Sequence, residues 1–432
     1  LNPNGVFFGP TASVNVNALI ASGLNLKTKD FMAGKYKFEA PVDAEGGMVV
    51  NQGMLQAATG GAVTLIGGAV HNEGMIFAQA GQVNLIAGRQ VTMDFDGDGL
   101  IRFAIDEEVL QNAHALDDAI SNSGEIEADG GAVLLHGKAA RDVFSNVVNN
   151  DGVIKAGRIE NKGGQIKLIA AGPGAALINT GTLDAAGTNG AGGAIEIYAE
   201  GSTLIAGQGR VDVASASGEG GLIHILADNK VGLLDRATLI ASGATGGGTV
   251  LIGGDYQGKN PDIKNAQRTA VDTKVSISAD ALTQGDGGKV IIWADAATQY
   301  YGEISATGGQ VSGDGGFVEI SGQVALAGKF AGRVDTTATN GNTGTLLLDP
   351  ENITIASGTA DSGDDNDLLD DSFITPGNPI GTLLEAAMPA TFTLHESELE
   401  GIAATTNIIL EASNNISEPI PMAMVAVLSA WT

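Results

Sequence analysis

Asp94-Phe-Asp96-Gly-Asp98-Gly99 sets three carboxylates at alternate positions with a glycine after the third. That is the spacing with which a loop turns oxygen ligands onto a calcium ion. The twelfth position, where such a loop closes on a bidentate glutamate, is Ile105; Glu107 and Glu108 fall two and three residues later. A calcium site at Asp94, Asp96 and Asp98 completed by one of those glutamates is one reading, and a solvated acidic turn explains the same residues. A second acidic run, Asp361, Asp364, Asp365, Asp367, Asp370 and Asp371, has no alternating ligand spacing and reads as a solvated loop. Gly253-Gly-Asp-Tyr-Gln-Gly258-Lys259 has the outline of a phosphate loop, but Asn260 stands where Ser or Thr is needed and Pro261 leads into no helical pattern. His71, His114, His136, His224 and His395 show no metal-ligand spacing, and no nucleophile-elbow serine is present. Trp293, Tyr300 and Tyr301 lie close together and offer a stacking face for a sugar ring; the plainer reading is that they stack along the fold or cover its edge. No residue takes a catalytic role, and the chain reads as non-enzymatic.

The elements that carry these residues follow from internal repetition. A glycine pair followed by an alternating apolar run recurs: Gly60-Gly61-Ala-Val63-Thr-Leu65, Gly130-Gly131-Ala-Val133-Leu-Leu135, Gly163-Gly164-Gln-Ile166-Lys-Leu168, Gly192-Gly193-Ala-Ile195-Glu-Ile197 and onward to Gly344-Thr-Leu346. A second series runs in phase, Asn51-x-Gly53, Asn72-x-Gly74, Asn122-x-Gly124, Asn150-x-Gly152 and Asn179-x-Gly181. The dominant spacing is near 28 residues, from Ile195 to Ile223, Val290 to Val318 and Val318 to Leu346. Short alternating runs of Val, Ile and Leu are half-buried strands, and Asn and Gly between them let the chain turn corners. Two or three such strands cannot bury their apolar face alone, but stacked coils can. The pattern predicts an all-β fold, a right-handed parallel β-helix of about ten coils, the handedness following the general crossover preference. A propeller blade needs a longer repeat than this one.

Three regions are expected: residues 1–50 entering the solenoid, 51–350 as repeats with an insertion at 91–125, and 351–432 with weaker repeats, the acidic loop and short helices at 382–388 and 396–404. Within the insertion, Val109, Ala113, Leu116 and Ile120 recur at helical spacing, which predicts one inserted amphipathic helix over Glu107 to Asn122.

Composition narrows the function. The 432 residues carry no cysteine, 64 glycines, and 22 basic against 50 acidic side chains for a formal charge of −28. There is no disulfide scaffold or thiol chemistry, and the acidic balance argues against a nucleic-acid partner. No apolar run is long enough for a membrane helix. The N-terminus lacks the regions of a signal peptide, so any export signal is expected upstream.

Asn2-Pro3-Asn4-Gly5-Val6-Phe7-Phe8-Gly9, followed by Val14-Asn15-Val16-Asn17 and Asp30-Phe31-Met32-Ala33-Gly34 and then by the repeats, resembles the two-partner-secretion exoproteins, the filamentous haemagglutinin-like adhesins. The likeness covers residues 1–350 and places residues 1–50 as the second half of the family's secretion domain. It implies export through a cognate outer-membrane β-barrel transporter, folding outside the cell, and a secreted or outer-surface location. It also implies that Asn2, Pro3, Asn4 and Gly5 lie in the region the transporter reads; as residues alone they form a β-turn. The leading function is then an adhesin that attaches to host or matrix glycans or proteins, in cells, surfaces or biofilm. A polysaccharide-active lyase or hydrolase and an end-to-end self-associating filament are the alternatives; against the former, strand acids such as Glu196, Asp212 and Glu319 look dispersed.

Overall fold

The computed structural model describes residues 1–95, 101–158, 163–328, 330, 333–358, 391–417 and the backbone of 427–430. The chain forms two compact units, 1–188 with 193–201, and 189–192 with 202–432.

Each unit is a right-handed parallel β-helix whose coils, up to Val334–Asp335, give strands to three parallel sheets; beyond it Thr345–Leu348 and Asn407–Ala412 extend the third sheet, and Asn352–Ala356, Thr391–His395 and Asn415–Ser417 form a parallel sheet of their own. In the first unit the first sheet holds Val6–Phe8, Met48–Asn51, Ala69–Asn72, Asp118–Asn122, Asn146–Asn150 and Ala176–Asn179. The third sheet runs from Leu19–Ser22 to Ala194–Ala199, and a shorter second sheet lies between them in each coil. Pairing is parallel and in register, Val83 with Val63 and Val133, and Ile195 with Ile166. Register follows the alternation read in the sequence, because a one-residue slip would turn every apolar side chain outward. Val63, Leu65, Val83, Leu85, Leu135, Ile195 and Ile197 are fully buried, each contributing about 1.5–3 kcal/mol. In the second unit Ile223, Ile225, Val250, Ile252, Val290, Ile292, Val318 and Ile320 continue the same inward pattern.

The glycines of the two series are close-approach residues. A methyl on Gly124 would overlap the carbonyl oxygen of Gly74, and one on Gly152 that of Gly124; Gly288 and Gly316 repeat this against Gly248 and Gly288. Only glycine lets successive coils stack there.

The insertion departs from its expected form. Asn25–Leu26, Tyr36–Glu39, Gln90–Phe95 and Ile101–Glu107 make a four-stranded antiparallel sheet on the flank of the first unit. Its Leu24, Phe38, Val91, Met93 and Ile105 pack on Ile66 and Ile86 of the third sheet. A short helix is inserted here, α1 (Thr28–Met32), but residues 107–122 are not helical. Ile120 is a fully buried first-sheet residue paired with Val70 and Val148, and Val109 bridges to Ala139. Between them the Leu116 N–H donates to Asn112 Oδ1 at 2.9 Å, closing a loop. Strand pairing outweighs the helical spacing of four apolar residues. In the second unit the helix expected at 396–404 is present as α2 (Glu396–Ala403), and the strand Asn407–Ala412 follows it. The acidic run at 361–371 and the helix expected at 382–388 lie outside the described residues.

Candidate functional site

In the first unit, Asn2 to Gly5 form the expected turn: the Gly5 N–H donates to the Asn2 carbonyl at 2.9 Å and the Asn4 N–H to Asn2 Oδ1 at 3.2 Å. The Asn2 N–H donates to the Ser22 carbonyl, tying the turn to the third sheet. Gly5 takes φ +108°, a conformation other residues rarely adopt. Pro3 and Asn4 wall a groove of about 660 Å³ with residues 42–47, Arg89, Leu110, Gln111, Ala113 and His114. Val42 stands 91% exposed on its rim.

Asp94 lies in the flank sheet opposite Arg102; Asp96 and Asp98 lie outside the described residues. Among the described residues no three His, Asp or Glu side chains are placed to share a metal ion.

The three aromatics do not form an open stacking face. Tyr300 is fully buried and stacks on Phe330 with ring centres 5.7 Å apart. Tyr301 is buried, and Trp293 lies under residues 254–258 with its Nε1 donating to Asp295 Oδ1 at 3.0 Å. Strand alternation puts Tyr300 inside, because it occupies the inward register position that Val271 holds one coil earlier.

A constellation the sequence did not reveal sits nearby in the second unit. Tyr256–Gly258 is a 3-10 turn in the run that resembled a phosphate loop. The Gln257 backbone N–H donates to both Glu319 carboxylate oxygens at 3.1 Å. Its side-chain amide donates to Asp349 Oδ2 at 3.2 Å and Glu411 Oε2 at 2.8 Å. Three carboxylates that look dispersed along the chain are thus gathered by one residue. Beside them lies a cavity of about 440 Å³ walled by Tyr256, Lys259, Trp293, Gln323, Asp349 and Glu411 among others. Burial pushes Glu319 up to about 8, against the Gln257 N–H and the Ser321 hydroxyl, which favour its ionised form. Burial and then Glu411 raise Asp349. Burial also pulls Asp255 upward, but Asn260, Lys289 and the Tyr256 N–H outweigh it and hold that carboxyl below its usual range. One signal in the sequence marks the spot: Glu319 interrupts an outward column otherwise made of Leu251, Ile291, Leu347 and Ile409.

Residues 1–185 match the family model of the TPS (two-partner) secretion domain. Among solved structures the chain is similar to the crystal structure of the HMW1 secretion domain from Haemophilus influenzae, at 27% identity and a TM-score of 0.52, covering 80% of this chain and 78% of that one. No curated protein matches. A secretion-domain match over the coils that carry the Asn2–Gly5 turn, with a similar fold in a solved secretion domain, supports reading this chain as a secreted or outer-surface β-helix protein of the two-partner-secretion type.

Proposed function

We propose that the chain is an adhesin that attaches to host-cell or matrix glycans or proteins, its stacked coils holding exposed side chains and loops in fixed order. The observation that carries this is the secretion-domain match over residues 1–185 joined to a cysteine-free repeat architecture. Backbone ladders between coils fix where each outward residue stands, so a ligand meets a preformed surface, and little ordering entropy is lost on attachment. The test is attachment of beads coated with the chain to epithelial cells and to a surface of immobilised glycans. Folded chain is expected to hold about tenfold more beads than heat-unfolded chain; equal retention overturns the adhesin reading.

In the same reading, the Asn2–Gly5 turn and its groove contact the transporter during export. The turn's rigidity and the exposed Val42 support this. Val42→Asp is expected to lower the exported amount without changing the melting temperature of the purified chain, and unchanged export removes this contact.

A further inference from the structure

The third sheet of the second unit carries an outward column pairing His224, Leu251, Ile291, Glu319, Leu347 and Ile409. Such a column needs a cover, and residues 253–266, inserted between the strands Thr249–Ile252 and Arg268–Val271, supply one. Ile263 packs on Leu251, Ile291 and Trp293, and Tyr256 meets Phe317 edge-on with ring centres 5.8 Å apart. The polar fastening is asymmetric. Asp255 accepts from the Tyr256 N–H, from Asn260 at 2.8 Å and from Lys289 at 2.7 Å, a well-matched pin. Gln257, held at φ +52°, must instead face Glu319, Asp349 and Glu411 together.

We propose that residues 253–266 form a proton-controlled cover, closed over the outward column of the second unit in acid and released from it in alkali, with Glu319 as the controlling group.

Glu319 is fully buried. Protonated, it is neutral and still offers an oxygen to the Gln257 N–H. Ionised, it places a charge beside Asp349 in a site where the nearest cation, Lys289, is already engaged by Asp255. Lifting the cover lets water reach the carboxylate, returning it toward its ordinary 4.5 from about 8. The closed form therefore binds the proton more tightly. Closure is fully favoured below the ordinary carboxylate range and loses its advantage as pH rises through about 8, the closing constant falling by up to about a thousand-fold.

Other groups face the same contact. The cover itself brings Asp255, Tyr256, Lys259, Asp262 and Lys264, and the strands beneath bring His224, Lys289, Asp295, Asp349 and Glu411. Asp349 is raised for the same reason as Glu319 and acts with the same sign. Tyr256 is raised above its usual 10 and stays neutral across the window, and Asp255 stays ionised.

Trp293 lies beneath the cover and reports its position. The chain has one further tryptophan, Trp431, so the full chain carrying Trp431→Phe has a single indole. Acrylamide quenching of its fluorescence is expected to be low near pH 5 and to rise about threefold by about pH 9, reversibly. Glu319→Gln keeps an acceptor for the Gln257 N–H without the charge, and its quenching should stay low throughout. Ile263→Ser removes the apolar anchor and should be strongly quenched already in acid, which establishes that the readout sees an open cover. Asp349→Asn, a milder change, removes a charge that repels ionised Glu319 in the closed form and should move the wild-type midpoint to higher pH. Flat quenching in the parent while Ile263→Ser reads open overturns the proposal. So does an unaltered rise in Glu319→Gln, or, where that variant does not fold, an unmoved midpoint in Asp349→Asn.

Discussion

The two units build the same corner from opposite materials. In the first unit the last residues of successive first-sheet strands are Asn51, Asn72, Asn122, Asn150 and Asn179, all fully buried. Each amide donates to the next at 2.7–2.8 Å. In the second unit the last residues of successive first-sheet strands are Ile205, Leu233, Val271 and Tyr300, equally buried and paired in register with one another. There the polar work moves two residues back, where the Thr203, Thr269 and Thr298 hydroxyls donate to third-sheet carbonyls at 2.7–2.8 Å. A buried column is therefore acceptable in either chemistry as long as it is uniform: amides satisfy amides and aliphatic groups fill volume. A mixed column fails, because it leaves donors and acceptors unmatched.

That contrast can be broken experimentally. The largest effect is expected from a charge placed where neither unit tolerates one. Ile195→Asp, directed into the first unit's interior, should lower stability by about 4 kcal/mol or more in a denaturant titration; an unchanged transition would show that position 195 does not face inward. Next come the exchanges of corner chemistry. Asn122→Leu fills the space but orphans the Asn72 donor and the Asn150 acceptor, and Leu233→Asn buries an amide without partners. Each should cost about 2–3 kcal/mol, and a neutral Asn122→Leu would mean that volume alone rules the first unit's corner.

The smallest effect separates the units by pH. Burial, with Lys138 and Lys167, depresses His136 from 6.5 to about 4 in the first unit. The unfolded chain takes up this proton first, so the contribution is present above 6.5 and is lost as pH falls toward 4, on the order of 2 kcal/mol after allowance for its partial exposure. Glu319, raised in the second unit, acts in the opposite direction, losing its contribution as pH rises through about 8. His136→Gln should flatten the acid limb of the stability profile measured between about pH 7 and about pH 4, and an unaltered limb would assign it to other groups.

The parts of the fold written as local repetition could be read directly. Val63-Thr-Leu65 and Ile195-Glu-Ile197 announce their faces by alternation, and the Asn-x-Gly series marks a corner in every coil from Asn51 to Asn179. What could not be read depends on neighbours distant in sequence. Val109, Ala113, Leu116 and Ile120 carry helical spacing, yet Ile120 is claimed by Val70 and Val148 across coils. Trp293 and Tyr300 look like a surface pair until the register sets Tyr300 inside and residues 254–258 over Trp293. Glu319, Asp349 and Glu411 are separated by tens of residues, and what joins them is an amide, Gln257, in a run that chemistry had set aside.

The amide ladder of the first unit also loosens a constraint. Its bonds join residues 21, 50, 28 and 29 positions apart with hardly any change in length. The longest of these steps accommodates part of an entire antiparallel flank sheet between two corners. Loop length and corner geometry are thus decoupled: the chain can acquire, lose or lengthen a surface appendage between one asparagine and the next while the register stays fixed. In evolutionary terms the corners act as punctuation, and new surface can be edited in between them without rewriting the frame.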